Sequence, residues 1–300
     1  VTQLSRYPSP LRYPGGKGKI ANYVKLLMIE NELTGRDYVE PYAGGASVAL
    51  SLLYEGYADR AFINDLNPGI HAFWKSALTQ TDELCMLIDA TPVTMETWHR
   101  QREVISSPGA DGLDLGFATF FLNRTNRSGI IGGGVIGGLD QTGPWKIDAR
   151  YNKPGLIQRI QKLGRHRNRV NLSNADAVDY VASWNDATLD PAFLYLDPPY
   201  FEKGEGLYDN FYDAADHAQI AASVADLAHP WIVSYDARPE ITALYPDAAQ
   251  IRYGLSYSAA STRATGSEIM FFSEGLTVPG RLPSGVPTHE VDAAKRRRFA

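Results

Sequence analysis

Short apolar runs alternate with helical stripes over the first 68 residues and again beyond about residue 165. Between those stretches the alternation stops. Ile20, Tyr23, Val24, Leu27 and Met28 fall on one face of a helix. Residues 37–50 read as a strand, a glycine turn and the start of a helix, with Ser47 a suitable N-cap. Residues 62–65 form a second short strand ending in Asp65, which also suits the start of the helix after Pro68. Ile70, Phe73, Trp74, Ala77 and Leu78 then make a helical stripe, and further helices are predicted over 81–90, 94–106 and 113–123. The sheet resumes at 170–176, followed by a helix over 177–184. Phe193-Leu194-Tyr195-Leu196, four apolar residues in a row, predicts a buried strand of a mostly parallel sheet. Residues 201–213 read as a lid. A helix capped by Asp216, a buried strand over 231–235 and two closing strands at 250–257 and 268–273 complete the pattern. Residues 1–10 and 276–300 are expected to be irregular.

Composition adds bounds rather than identity. Three hundred residues, 44% hydrophobic and 21% charged, allow one large α/β domain carrying an inserted smaller one. No apolar run is long enough to span a membrane, and the single Cys85 points to a reducing, cytoplasmic setting. One cysteine and six scattered histidines offer no metal-ligand spacing, so no metal is expected. The net charge of −5 argues against a protein that merely coats nucleic acid. Against that background, Lys146, Arg150, Lys153, Arg159, Lys162, Arg165, Arg167 and Arg169 are opposed only by Asp148. A local basic footprint of this kind fits one face that meets phosphates.

The chemistry centres on Asp197-Pro198-Pro199-Tyr200, directly after the four-residue apolar strand. Each proline fixes its own φ and keeps the preceding residue extended. The run therefore presents a carboxylate, a carbonyl and a flat ring at a strand's carboxyl end, where open α/β sheets bind ligands. Such a set suits activation of an exocyclic aromatic amine, whose lone pair is delocalised into the ring. Asp197 and the Pro198 carbonyl accept its two N–H bonds, the nitrogen becomes tetrahedral, and Tyr200 stacks on the base. Upstream, Tyr13-Pro14-Gly15-Gly16-Lys17 is a glycine-rich turn feeding a helix, a site for an anion such as a carboxylate. Gly44 and Gly45 allow close backbone approach, and Asp65 follows about twenty residues later. That is the logic of nucleoside binding without the dinucleotide fingerprint. Asp176 could reach a nucleobase or cap a helix. In Asn123-Arg124-Thr125-Asn126-Arg127, beside the glycine-rich 129–138 stretch, Arg124, Asn126 and Arg127 are residue types that reach phosphates and base edges.

Taken in order over roughly residues 8–275, these motifs resemble the Dam-like DNA adenine-N6 methyltransferases. The resemblance implies S-adenosylmethionine as cofactor. It implies a Rossmann-like methyltransferase sheet, mostly parallel with a C-terminal antiparallel hairpin, and an inserted, mainly helical target-recognition domain. It divides the chain into a catalytic domain (1–68 and 166–275), a recognition insertion (69–165) and a flexible tail (276–300). Asp197, Pro198, Pro199 and Tyr200 would be catalytic. Tyr13, Gly15, Gly16, Lys17, Glu40, Pro41, Tyr42, Gly44, Gly45, Asp65 and Asp176 would hold the cofactor. Arg124, Asn126, Arg127, Lys146, Arg150 and Lys153 would contact double-stranded DNA. The implied reaction is methylation of adenine N6 on a flipped base, with a cognate restriction endonuclease as an optional partner; chain length and the open insertion lead us to expect a monomer. Ala46 stands where the family usually has glycine, and the recognition segment differs from that of GATC-specific members. The same tetrad also suits cytosine N4, an RNA base or a glutamine amide, and a catalytically silent DNA-binding module is the reading from another class.

Overall fold

The computed structural model describes residues 8–12, 17–186, 191–201, 212–256 and 265–299. In chain order, helix α1 (Ala21–Glu30) precedes strand β1 (Asp37–Glu40), α2 (Ser47–Tyr54) and β2 (Ala61–Asn64). A helical stretch follows: α3 (Pro68–Thr79), α4 (Thr81–Ala90), α5 (Met95–Ser106), α6 (Gly112–Thr125) and α7 (Lys153–Arg165), then the short strand β3 (Val170–Ser173). The chain ends with α8 (Ala177–Ala182), β4 (Ala192–Leu196), α9 (Ala214–Ala225), β5 (Trp231–Asp236), α10 (Pro239–Leu244), β6 (Ala249–Ser256), β7 (Thr265–Phe272) and α11 (Thr288–Phe299).

Two compact units result. One comprises Gly15–Asn64 with Ala175–Ala300, the other Val1–Pro14 with Asp65–Asn174. These divisions fall at other positions than the expected limits at 68/69 and 165/166, and the stretch through Asn174 groups with the helices.

In the first unit six strands run in the order β2-β1-β4-β5-β7-β6. β2, β1, β4 and β5 are mutually parallel, and β7 pairs antiparallel with both β5 and β6. This is the expected Rossmann-like α/β sheet with a C-terminal antiparallel pair. Strand β4 is buried at all five positions and β5 at all six, which is why both read as unbroken apolar runs. The chain leaves β1 towards β2 on one side and later returns as β4 on the other. That reversal makes the carboxyl ends of β1 and β4 the sheet's switch point.

Two local expectations are corrected. Ser47 does not cap α2: it is the first helical residue, and Ala46 before it sits in the left-handed region at φ 45°, ψ 33°. Ala46 is fully enclosed. Ala46→Gly should hold stability within about 1 kcal/mol, relieved strain offsetting the lost methyl. Ala46→Val should lose about 1–3 kcal/mol through overpacking alone, with the strain of a branched side chain at positive φ added. Chemical denaturation of both variants checks this. The second correction concerns residues 276–300, expected to be a flexible tail. They include α11, which buries Val291 and Ala294. Lys295 Nζ lies 4.5 Å from the Tyr57 ring centroid, and Arg298 pairs with Glu32 at 2.6 Å. At those two positions the basic charge is spent on this unit's own surface.

In the second unit, the Asn67 side chain caps α3 by accepting from the Gly69 and Ile70 amides, with Pro68 in the first turn. The predicted stripe Ile70, Phe73, Trp74, Ala77 and Leu78 is buried. Phe73 stacks on Phe120 of α6. No helix among the described residues is long and apolar enough to cross a membrane.

Candidate active site

Asp197 follows β4 at once, and its surroundings come from strands far away in sequence. Ser234 of β5 donates to Asp197 Oδ1 at 2.7 Å, and the Tyr195 hydroxyl lies 2.8 Å from the same serine oxygen. Lys17 Nζ sits 2.9 Å from Asp197 Oδ1, 3.1 Å from Glu268 Oε2 and 3.4 Å from Ser234 Oγ. Glu268, on β7, takes the Tyr200 hydroxyl on its other oxygen at 2.9 Å. The Phe201 amide donates to Asp236 Oδ1 at the end of β5. The Asp197–Tyr200 run is thus anchored at both ends, and its buried ring lies 5.4 Å from the Lys17 ammonium.

Electrostatics follows from burial. Glu268 is 1% exposed and Asp197 22%. Burial, then the Asp197 charge, push the Glu268 carboxyl up, while Lys17 and the Tyr200 hydroxyl pull it down. Burial alone would push the Lys17 ammonium down. Asp197, Tyr195, Tyr253 and Glu268 outweigh that and hold it well above its usual value. One buried cation shared by two carboxylates keeps both in place.

At the switch point, Glu40 ends β1. Its Oε1 accepts from the Tyr38 hydroxyl at 3.0 Å, and its buried Oε2 has no partner. Burial is the main cause that pushes the Glu40 carboxyl up to about 8; the Asp197 charge adds to it, and the Tyr38 hydroxyl and Ala49 backbone oppose it. Gly44 adopts φ 46° in the turn that follows. Asn64 ties the neighbouring loops together: its amide donates to the Pro41 and Ala175 carbonyls, and its oxygen accepts from the Ala175 amide. Tyr42 donates to the Tyr212 hydroxyl at 3.1 Å. Asp176 caps α8 through the Val178 amide. Tyr13, Gly15 and Gly16 lie outside the described residues, as do most of the 201–213 lid and the loop that joins β6 to β7.

Asp65, by contrast, belongs to the helical unit, where it accepts from the Asn67 amide. Of the residues expected to touch DNA, Arg127, Lys146 and Arg150 are exposed. Lys153 donates to the Asp89 carbonyl. Two others depart from expectation. Asn126 is fully buried and works as a loop organiser, accepting from Trp98 Nε1 and donating to the Ile130 and Ile131 carbonyls. Arg124 is 9% exposed, with Nε on the Arg150 carbonyl. Both end a helix enclosed on every side from Gly116 to Thr125, so their polar atoms are turned inward.

The family model for the D12 class of N6 adenine-specific DNA methyltransferases matches residues 13–258. The chain belongs to this family. It is accordingly a methyltransferase enzyme, and its chemistry calls for a methyl donor. No curated protein matches it. Among solved structures it is similar to a protein of Pyrococcus horikoshii assigned as an RNA methyltransferase. That match has 10% identity over 83% of this chain and 80% of the other, with a TM-score of 0.39. It is also similar to the rRNA methyltransferase aviRa of Streptomyces viridochromogenes, at 13% identity over 82% of each chain and a TM-score of 0.35. The site fits a donor with hydroxyl groups: the unpartnered Glu40 Oε2 is a buried acceptor at the switch point, where such ligands bind. Ser234, Glu268 and Asn64 were not singled out by sequence reasoning. The available signal was a carboxylate opening the apolar run Glu268-Ile269-Met270-Phe271-Phe272.

Proposed function

We propose that this protein transfers a methyl group from S-adenosylmethionine to the N6 amine of adenine in duplex DNA, with the target base turned out of the stack. The observation that carries the reading is the setting of Asp197. Its Oδ1 is held by Ser234 and Lys17, while Oδ2 takes no bond among the described residues. A fixed carboxylate with one open oxygen, followed by an extended Pro198 carbonyl, suits two N–H donors on one nitrogen. Accepting both bonds lets the amine become tetrahedral. The bound donor supplies an electrophilic methyl on a sulfonium centre. As the N–C bond would form and the methyl–sulfur bond break, with a neutral thioether leaving, the nitrogen would gain positive charge, which Asp197 would stabilise before taking the departing proton. Tyr200, fixed by Glu268, presents a ring to the flipped base, whose extrusion costs a few kcal/mol.

Glu40 supports the cofactor assignment and makes it testable. Raised to about 8, it is mostly protonated at pH 7 in the free protein. Donors such as ribose hydroxyls favour its ionised form, so cofactor binding should release about one proton at pH 7. Calorimetry in buffers of different ionisation heat measures this release, and Glu40→Gln should abolish it. Proton release unchanged in the variant would remove Glu40 from the cofactor site.

Single-molecule sequencing of DNA from cells expressing the protein, against an Asp197→Ala control, tests the whole reading. Modified adenine at one short motif, absent from the control, is the expected result. Modified cytosine would overturn the base. Unmodified DNA from a folded, cofactor-binding protein would overturn the substrate.

A further inference from the structure

Four arginines of the helical unit lie close enough to repel one another, and among the described residues none of them has an ion-pair partner. The Asn123 side chain accepts from the Arg12 amide at 2.7 Å and donates to the Arg12 carbonyl at 2.6 Å. Gly129, at φ 82°, permits this approach, since a Cβ there would lie 2.6 Å from the Arg12 oxygen. Arg12 Nη1 reaches the Asn126 carbonyl, Arg159 Nη1 the Ser9 carbonyl, and Arg124 Nε the Arg150 carbonyl. Residues 9–12 are thereby fastened to the end of α6 and to α7, and the side chains of Arg12, Arg124, Arg150 and Arg159 gather around them. The polar partners of Arg12, Arg124 and Arg159 are backbone carbonyls, and the exposed Arg150 guanidinium lies 6.0 Å from the Trp145 ring centroid; among the described residues none of the four pairs with a carboxylate. Arg159 Nε and the Tyr151 hydroxyl are buried with no partner. Burial, then the charges of Arg12, Arg159 and Arg150, push the Arg124 guanidinium down to about 9, against a smaller opposing effect of Tyr151.

We propose that Arg12, Arg124, Arg150 and Arg159 form a recessed phosphate site that takes a phosphodiester of the nucleic acid. Guanidinium forks match a tetrahedral oxyanion, and mutual repulsion relieved only by an anion is the signature of a site built for one. Arg12 and Arg159 enter the interface by this argument, and buried Arg124 regains a DNA role. Such a contact fixes the duplex and carries no base information. The inference rests on the DNA reading above.

Arg124→Met, Arg159→Met, Arg12→Met and the charge-retaining Arg159→Lys test it in the full chain. Without DNA and at low salt, Arg124→Met should melt higher than wild type, because it removes a buried, repelled charge; a packing role would lower it. Inorganic phosphate should raise the wild-type Tm more than chloride at equal ionic strength, and the Met variants should lose that difference. Duplex DNA affinity should fall about tenfold near 0.1 M salt in each Met variant. The slope of log K against log salt should shrink by about 1, and Arg159→Lys should retain most of both. Should Arg124→Met fail to fold, the half-buried Arg12 and Arg159 variants decide the matter. Met variants with wild-type affinity and slope overturn the site while leaving the methyltransferase reading intact. Stabilisation by free phosphate with an unchanged DNA slope also overturns it. Wild-type protein that binds no DNA at low salt overturns both.

Discussion

Asp197→Ala is expected to lower methyl transfer by about 10³-fold or more while changing cofactor affinity by less than about threefold. The carboxylate acts on the amine, where positive charge develops, and its open oxygen is the acceptor that a neutral side chain cannot replace. The fold should tolerate the change. Lys17 is shared between Asp197 and Glu268 at 2.9 and 3.1 Å, so losing Asp197 leaves a neutral Lys17–Glu268 pair rather than an orphaned ammonium. Buried Glu268 loses the part-exposed carboxylate that repels it, and Tm should stay level or rise. Active sites commonly store instability of this kind. Initial rates on unmodified DNA, cofactor calorimetry and a melting curve measure the three quantities. Wild-type-like turnover would remove Asp197 from the chemistry, and a collapsed melting curve would refute the account of the Lys17 pair.

The parts of this fold that were legible in the sequence are those where burial imposes a period. The unbroken run Phe193–Leu196 announced a strand buried on both faces, and Asp197 announced its end. The Ile70–Leu78 stripe announced α3 for the same reason. What stayed hidden is assembled across the sheet. Ser234 was one small polar residue inside Trp231–Tyr235, and Glu268 the first residue of a closing strand. Nothing local says that β5 and β7 lie beside β4, or that the register Asp236↔Glu268 brings a carboxylate next to the Asp197 loop. Arg124 and Asn126 were assigned to DNA by residue type and by the family resemblance. The phenylalanines at 120 and 121 just before them signalled their burial, since a helix apolar on every side encloses its polar residues too. The tail failed for a different reason. Val291 and Ala294 are too few to outweigh Lys295-Arg296-Arg297-Arg298 in a pattern argument, yet they suffice to seat α11.

Glu268→Gln is expected to lower kcat by about 10- to 100-fold, with cofactor affinity and KM for DNA changed by less than about threefold. Glu268 is enclosed and does not reach the open oxygen of Asp197; it is a positioning residue that works through two neighbours. Its Oε2 draws Lys17 away from exclusive pairing with Asp197. Once the charge is gone, the ammonium has a single carboxylate to neutralise, and the acceptor that the amine needs is weakened. Its Oε1 fixes the Tyr200 hydroxyl, hence the plane of the ring offered to the base. Gln keeps the shape and an acceptor for Tyr200, so Glu268→Gln isolates the charge, while Tyr200→Phe isolates the hydroxyl. Glu268→Ala removes both. In a double-mutant cycle, Glu268→Ala and Tyr200→Phe should be less than additive in kcat, because each destroys the same anchor. A purely structural role predicts something else: a lower Tm with unchanged kcat in the folded fraction, and additive effects. That outcome would return Glu268 to the interior of β7 as an ordinary buried ion pair.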